Sequence, residues 1–191
     1  MAHPPRIQAV AFDAFGTLFD VYSVGLLAEQ LFPGKGAALA ELWRQKQIEY
    51  SFIRSLSGRY KPFWDITRDG LDFAAARLGL ALDGAQRTQL MNQYACLSPF
   101  PENLAALRRL KDAGLPTAIL SNGTPEMLQV AIKSAGMQGL FDDVLSVDAV
   151  RKYKTHPDAY ALAPAAFGCA PERILFVSSN GWDAAGAGWY G

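Results

Sequence analysis

The sequence has little cysteine, and its charges leave no excess of either sign. Its two cysteines, Cys96 and Cys169, form neither a CxxC pair nor a disulfide framework, which suits a reducing compartment. The 18 Lys and Arg residues balance the 18 Asp and Glu residues. Because nucleic acids and anionic membranes bind basic surfaces, the zero net charge argues against both as partners.

Long apolar runs are also missing. No run approaches the ~20 apolar residues that a membrane-spanning helix needs, and the first residues of the chain form no signal-peptide apolar region. The sequence does contain 50% apolar and 12% aromatic residues, which excludes a disordered chain. Its 191 residues therefore predict a globular cytoplasmic protein, with one domain or one domain that carries an insertion.

Four short apolar segments are typical of strands that are buried on both faces. They cover residues 7–12, 116–121, 143–147 and 174–178. Helical patterns that end at a glycine precede each of the later three strands, and they cover residues 101–113, 125–135 and 156–167. The alternation of strands and helices predicts right-handed crossovers and a parallel sheet.

The interval between the first and second strands is too long for a simple crossover, which needs roughly 10–12 residues plus short loops. It contains helical patterns at residues 24–32, 37–56, 65–80 and 84–96, and a proline-rich return at residues 97–101. We therefore predict a doubly wound, Rossmann-like α/β core at residues 1–18 and 99–191. A helical cap domain at residues 19–98 interrupts this core.

Polar residues follow each predicted strand. In an open parallel sheet, ligands bind beyond the carboxyl ends of the strands. Asp13 follows the first strand, and Ser121 and Asn122 lie at the end of the second. Lys154 comes shortly after the third strand, and the fourth leads into residues 178–183 (SSNGWD). The sequence thus predicts one polar site at this edge of the sheet.

Four motifs resemble those of haloacid-dehalogenase-like hydrolases. The first is residues 12–20 (FDAFGTLFD), and the others follow in order as residues 121–123 (SNG), Lys154 and residues 178–183. In the insert, residues 43–50 (WRQKQIEY) and 59–64 (RYKPFW) resemble segments of L-2-haloacid dehalogenases. The resemblance covers nearly the whole chain. It implies hydrolysis of short L-2-haloalkanoic acids to D-2-hydroxy acids through an aspartyl ester.

Asp13 is the candidate nucleophile. A carboxylate fixed at a strand end can form an ester and divide one difficult displacement into two easier steps. The alternative is an Asp that caps the following turn. Lys154 would place a positive charge beside Asp13, which would keep that carboxyl group ionised and oriented. Without the resemblance, a solvated surface lysine would be the preferred interpretation of Lys154.

Phe15 decides between two chemistries of the superfamily. Phosphatases carry a second Asp at this position as general acid and base, and they use magnesium held by further carboxylates. A phenylalanine can neither transfer a proton nor bind a metal, and the fourth motif offers Asn180 and one carboxylate, Asp183. Because a divalent cation needs several oxygen ligands, we predict a site without metal and without any other cofactor.

Arg44 resembles the centre of the family's halide cradle. A fixed cation stabilises the negative charge that develops on a departing halide. The resemblance adds Asn122 as an N–H donor, and Phe63 and Trp182 as a desolvating wall. In isolation, an Arg on an amphipathic helix is usually solvated or ion-paired, and Phe63 and Trp182 would be ordinary core residues.

The carboxylate of the substrate also needs donors. The resemblance implies Ser121 and the main-chain N–H groups of Ala14 and Phe15, which would form a small anion nest. Asp183 is the candidate that fixes Lys154 and assists the hydrolytic water as a base. Side chains expected to support Asp13 or Lys154 are Thr17, Tyr160, Ser178 and Asn180.

Some of these residues have simpler interpretations. Thr17 and Ser178 could equally be ordinary turn residues. The two histidines do not fit the role of the base, because His3 lies near the terminus and His156 precedes Pro157 at the start of a predicted helix.

The implied partners are a small-molecule 2-haloacid and its halide, together with a possible homodimer built partly on the cap helices. Two alternatives are a magnesium-dependent phosphatase, which Phe15 argues against, and an inactive protein that binds small carboxylates, which the complete motif set argues against. Proteins of this family continue through at least one further strand and helix. We therefore expect a C-terminal part of the core to be missing, which would leave one sheet edge bare.

Overall fold

The computed structural model describes residues 6–191. Residues 1–5, with His3 and the start of the predicted core, lie outside this part. The strands are β1 (Ala9–Phe12), β2 (Thr117–Ser121), β3 (Asp143–Ser146) and β4 (Ile174–Val177). They form one parallel sheet in the order β3-β2-β1-β4. The predicted parallel α/β core is confirmed.

The register of the sheet aligns the end of β1 with the end of β4, while β2 continues two residues further. Phe12 at the end of β1 pairs with Ile119 of β2 and with Val177 of β4. Side chains alternate between the two faces of a strand, so Phe12 joins one apolar cluster and Ala11 joins another on the opposite face. The residues that follow these strands therefore emerge at one edge of the sheet.

The two edge strands are more exposed than the sequence predicts. β1 and β2 are buried along their whole length, whereas Val144 of β3 is 42% exposed and Leu175 of β4 is 49% exposed. An edge strand has a neighbouring strand on one side only, so its side chains are less completely covered. The prediction of burial on both faces is right for β1 and β2 and wrong for β3 and β4.

Five helices lie between β1 and β2, and the first four of them form the insert, within three residues of their predicted bounds. These four are α1 (Gly25–Leu31), α2 (Gly36–Leu56), α3 (Phe63–Arg77) and α4 (Gly84–Ala95). α3 begins earlier than predicted, directly after Pro62, whose backbone is extended. A capping box stabilises the start of α4, because Asp83 and Gln86 each accept a hydrogen bond from the other's backbone N–H.

The helices around the sheet follow the predicted order with one difference. They are α5 (Asn103–Asp112), α6 (Pro125–Ser134), α7 (Pro157–Tyr160), α8 (Leu162–Phe167) and α9 (Gly181–Tyr190), with 3-10 turns at Val147–Ala149 and Pro171–Arg173. The single helix predicted at residues 156–167 is wrong, because the structure divides it into α7 and α8. Pro164 explains the division, since proline has no N–H to donate to the carbonyl of Tyr160.

The chain enters and leaves the insert through a short antiparallel ribbon. Phe19 and Pro99 form its bridge, and the N–H of Asp20 donates to the carbonyl of Ser98 at 2.8 Å. The ribbon lies at the predicted limits of the cap domain. Those limits, residues 19 and 98, stay a prediction.

A continuous apolar cluster joins the insert to the sheet. It includes Phe12 of β1, Leu128 of α6, Trp43 of α2 and Leu71 of α3. The insert is therefore packed against the core and not attached by the ribbon alone. Within residues 6–191, no helix has both the length and the apolar composition to cross a membrane.

Candidate active site

Asp13 lies directly after β1, and its N–H donates to the carbonyl of Val177 at the end of β4 (2.9 Å). Three side chains hold its carboxylate. Lys154 Nζ lies 3.0 Å from Oδ1, while Thr17 Oγ1 (3.1 Å) and Asn180 Nδ2 (2.7 Å) donate to Oδ2. Among the described residues, no backbone N–H donates to this carboxylate. The alternative of a turn-capping Asp is therefore wrong.

Lys154 is fully buried. Its Nζ lies 2.8 Å from Oδ2 of Asp183 as well as 3.0 Å from Asp13, and 4.9 Å from the centre of the Phe176 ring. A buried ammonium group requires such partners, because its removal from water costs free energy. The alternative of a solvated surface lysine is wrong.

Asp183, in the first turn of α9, is also fully buried. Its Oδ1 accepts a hydrogen bond from the hydroxyl of Tyr160 (2.8 Å), and its Oδ2 accepts from Lys154 and from the hydroxyl of Ser178 (3.1 Å). Burial raises the pKa of Asp183 above its ordinary value, although Lys154 and Tyr160 act in the opposite direction. Both oxygens are engaged by protein donors, so the side chain fixes Lys154.

Tyr160 remains a donor under ordinary conditions. Burial raises the pKa of its phenol group, and the negative charge of Asp183 raises it further. Its ring meets Phe176 edge-on at 5.9 Å, which fixes the direction of the hydroxyl group. Tyr160 therefore stabilises the charged form of Asp183 without competing for its proton.

Gly16 shapes the turn that follows Asp13. Its φ of 97° lies in a region that glycine adopts without strain, and a Cβ at this position would lie 3.3 Å from the amide of Asn180. The turn directs the carbonyl of Phe15 toward the insert, where it accepts hydrogen bonds from Arg44 Nη2 (2.8 Å) and Asn180 Nδ2 (3.2 Å).

Arg44 reaches this site from α2 and is only 6% exposed. Besides the bond to Phe15, its Nη1 donates to Oε1 of Gln47 at 2.8 Å. Within residues 6–191, no carboxylate forms an ion pair with Arg44. The alternative of a solvated or ion-paired Arg is wrong, and a buried cation without an anion is costly unless a ligand supplies the charge.

A small cavity lies between Asp13 and the insert. About 10 Å³ of it is open to the centre of a water molecule, which is room for about one water. Its lining residues are Asp13, Phe15, Arg44, Ile48, Ser51, Phe63, Ser121, Asn122 and Trp182. Because both the core and the insert contribute, the cavity lies at their junction.

The end of β2 supplies two donors to the cavity. Ser121 Oγ accepts from the N–H of Gly123 (3.0 Å), so its hydroxyl hydrogen is available to a ligand. Asn122 Oδ1 accepts from the N–H of Lys154 (3.0 Å), which leaves the NH2 group of the amide as a donor.

Two backbone N–H groups beside Asp13 are also available to a ligand. Within residues 6–191, the N–H groups of Ala14 and Phe15 donate to no protein acceptor. Successive N–H groups of this kind form a concave site for an anion. The arrangement fits a small carboxylate.

Two aromatic side chains form the apolar wall. Phe63 is buried and its ring centre lies 5.9 Å from that of Phe15, while Trp182 is half-buried and meets Phe52 edge-on at 5.3 Å. Both line the cavity, and Phe63 also belongs to the apolar cluster of the core, so their role as a desolvating wall stays a prediction. Their rings limit the access of water to Arg44.

The described residues offer no evident metal centre. Within residues 6–191, no group of three or more His, Cys, Asp or Glu side chains could hold a metal ion. Lys154 occupies the position between the carboxylates of Asp13 and Asp183. The metal-free site stays a prediction that a chelator can test.

Sequence reasoning missed five residues near Arg44. Ile48 and Ser51 line the cavity, and Gln47 lies behind it. Gln47, Ile48 and Ser51 follow Arg44 by three, four and seven positions. These spacings place them on the same face of a helix as Arg44, so the sequence could have indicated that they lie near it. Gln47 bonds to Thr67 of α3 and Tyr94 of α4, and nothing in the sequence indicates these two contacts.

The chain matches known proteins along almost its full length. The sequence model of the haloacid dehalogenase-like hydrolases matches residues 7–191. An (S)-2-haloacid dehalogenase of Xanthobacter autotrophicus is 48% identical over 185 residues, which are 97% of this chain and 72% of that protein.

Solved structures of L-2-haloacid dehalogenases also resemble this chain along almost its full length. The L-2-haloacid dehalogenase RSc1362 has a TM-score of 0.95 and 65% identity over 97% of this chain and 84% of that chain. The Xanthobacter autotrophicus L-2-haloacid dehalogenase with chloropropionic acid covalently bound has a TM-score of 0.91 and 47% identity, over 97% of this chain and 75% of that chain. The chain therefore belongs to the haloacid dehalogenase-like hydrolases, in the branch of the L-2-haloacid dehalogenases.

Proposed function

We propose that this protein hydrolyses short L-2-haloalkanoic acids to D-2-hydroxy acids and halide. The observation that carries the proposal is the carboxylate of Asp13, which is held by Lys154, Thr17 and Asn180 at a cavity that Arg44 also lines. A fixed carboxylate beside a buried cation is suited to displace an anionic leaving group.

In the first step, an oxygen of Asp13 attacks C2 of the substrate from the side opposite the halogen. The new C–O bond forms as the C–halogen bond breaks, and the halide leaves with the electron pair, so the configuration at C2 inverts. Ser121 and the N–H groups of Ala14 and Phe15 bind the substrate carboxylate and orient C2. The product of this step is an aspartyl ester.

The departing halide is stabilised by Arg44, with the amide of Asn122 as a further donor. Phe63 and Trp182 exclude water from this position, and electrostatic attraction is stronger in a site of low dielectric constant. The buried guanidinium without an ion-paired carboxylate supports this role.

In the second step, water attacks the carboxyl carbon of the Asp13 ester. Asp183 takes the proton from the water and Lys154 stabilises the charge that develops on the ester oxygen. Both oxygens of Asp183 accept hydrogen bonds from protein groups, so one of these hydrogen bonds must break before the water can bind. The bond between the carboxyl carbon and the alkoxy oxygen breaks, and that oxygen takes the remaining proton of the attacking water and leaves as the hydroxyl group of the hydroxy acid. Asp13 is again a carboxylate with one oxygen from water, and Asp183 releases its proton to solvent.

Residues 19–98 act as a cap in this proposal. The cavity has room for only about one water, so the cap must open to admit the substrate and close before the displacement. The ribbon at Phe19 and Pro99 supports a hinge at this place. We further propose a cytoplasmic enzyme, which the unpaired Cys96 and Cys169 support. We also propose a homodimer, which the exposed side chains of Tyr22 and Leu26 support because they line one groove.

The test is a chloride-release assay on both enantiomers of 2-chloropropionate, with and without a chelator. We expect release from the L enantiomer alone, at a rate that the chelator leaves unchanged. Metal-dependent hydrolysis of a phosphate ester without chloride release would favour the phosphatase. Binding of 2-chloropropionate without chloride release would favour an inactive carboxylate-binding protein.

A further inference from the structure

Three polar side chains lie behind Arg44 in the interior of the insert. Gln47 and Thr67 are fully buried, and Tyr94 is nearly so. They come from α2, α3 and α4, and none of them lines the cavity beside Asp13. Burial of a polar group costs free energy unless the group has a hydrogen-bond partner. The partners of these three side chains therefore indicate what they do.

The hydrogen bonds leave one orientation for the amide of Gln47. The hydroxyl of Thr67 donates to the carbonyl of Phe63 (2.7 Å), so towards Gln47 it can only accept. Nε2 of Gln47 therefore faces Thr67 (2.6 Å), and Oε1 must face Arg44. The hydroxyl of Tyr94 donates to the same oxygen at 2.9 Å. Burial raises the pKa of Tyr94, which keeps this donor protonated.

We propose that Gln47, held by Thr67 and Tyr94, is a positioning residue that fixes the guanidinium of Arg44 and leaves its charge unneutralised for the leaving halide. This inference rests on the proposed function of Arg44. A neutral acceptor orients the guanidinium but adds no negative charge. A carboxylate in the same place would form an ion pair with Arg44 and weaken its attraction for halide.

The proposal separates the two chemical steps. Arg44 stabilises the halide in the first step, whereas the ester is hydrolysed beside Lys154 and Asp183. A displacement of about 1 Å at a reacting group can cost about 100-fold in rate. A change at Gln47 should therefore slow ester formation and leave ester hydrolysis almost unchanged, a split that a general loss of stability would not produce.

The experiment compares Gln47→Glu with Gln45→Glu by rapid quench on L-2-chloropropionate. Gln45 is exposed on the same helix, so it provides the same chemical change away from the site. In Gln47→Glu we expect the halide burst to slow by about 10–100-fold and ester hydrolysis to change by less than about 2-fold. Inhibition by added chloride should weaken. Gln45→Glu should match the wild type in each measurement.

Tyr94→Phe and Thr67→Val keep the test decisive if Gln47→Glu does not fold. Each removes one hydrogen bond from Gln47 at nearly constant volume and should slow the burst more than the hydrolysis. Equal slowing of both steps, or bursts that match Gln45→Glu, would overturn the positioning role while the dehalogenase function stands. A wild-type protein that releases no halide from L-2-chloropropionate would overturn both.

Discussion

The carboxylate of Asp183 is buried, and the proposed reaction requires that it be negatively charged. Burial raises its pKa, so it takes up a proton at a higher pH than the ~3.9 of an exposed Asp. Protonated Asp183 has no negative charge to pair with Lys154, and it cannot take a proton from water. We therefore expect kcat to fall, as the pH is lowered, at a value above that ordinary pKa.

Tyr160→Phe tests this pH dependence. The hydrogen bond of Tyr160 lowers the pKa of Asp183, so its removal should move the acid limb to higher pH. The measurement is kcat against pH, with Tyr22→Phe as the control because Tyr22 is exposed. An acid limb that does not move in Tyr160→Phe would contradict the role of Asp183.

Residue by residue, the sequence predicts most of the core of the site. Asp13 could be identified because it follows a strand, and parallel strands end at the same edge of a sheet. Lys154 could be identified only through the resemblance, because its position alone favours a solvated surface lysine. The contact of Gln47 with Tyr94 could not, because it joins residues 47 positions apart on two helices. Only the packing of the insert brings these side chains together.

At the scale of elements, the start of α2 depends on a close approach to α1. A Cβ on Gly36 would lie 2.5 Å from the backbone nitrogen of Glu29, which is too close for any side chain. Gly36→Ala should therefore lower the free energy of unfolding by about 1–3 kcal/mol, since the helix backbones must shift.

Gly84→Ala is the matched control for this prediction. A Cβ there meets no heavy atom within 4 Å, and the residue is the first of α4. It should raise the free energy of unfolding by about 0.4–1 kcal/mol because the unfolded chain loses freedom. Urea unfolding measures both variants, and a Gly36→Ala protein as stable as the wild type would show that this contact is not needed.

Local sequence patterns predict where helices and strands lie. Whether a helix is continuous and how exposed a strand is depend on single residues and on the neighbouring strands. Each strand is found close to its predicted place because short apolar runs bounded by turns are a local signal. The break before α8 comes from Pro164, which lies inside an otherwise helical pattern. The exposure of Val144 and Leu175 depends on the order of strands in the sheet, which the sequence does not specify.

At the scale of the whole molecule, side chains of the insert hold the loop that leads to Lys154. The hydroxyl of Ser55 accepts from the N–H of Tyr153 (2.7 Å), and the hydroxyl of Tyr153 donates to the carbonyl of Lys61 (2.5 Å). Tyr60 donates to Asp148 in the same region. These contacts favour the arrangement in which the insert lies against the core and the cavity is small.

Tyr60→Phe should weaken this closure. The loss of one hydrogen bond is worth about 0.5–1.5 kcal/mol, and a smaller closed population raises the apparent dissociation constant in proportion. We expect KM for L-2-chloropropionate to rise about 2–10-fold with kcat little changed. Tyr50→Phe is the control, since the hydroxyl of Tyr50 makes no hydrogen bond among the described residues. An unchanged KM in Tyr60→Phe would argue against this contact as a closing element.

The covalent role of Asp13 is tested most directly by a single turnover in heavy-oxygen water with the enzyme in excess. We expect the heavy oxygen in the peptide that contains Asp13 and ordinary oxygen in the released 2-hydroxypropionate, because water attacks the ester and not C2. Asp13→Asn should show no steady turnover. Heavy oxygen in the first product, with an unlabelled Asp13 peptide, would contradict an aspartyl ester.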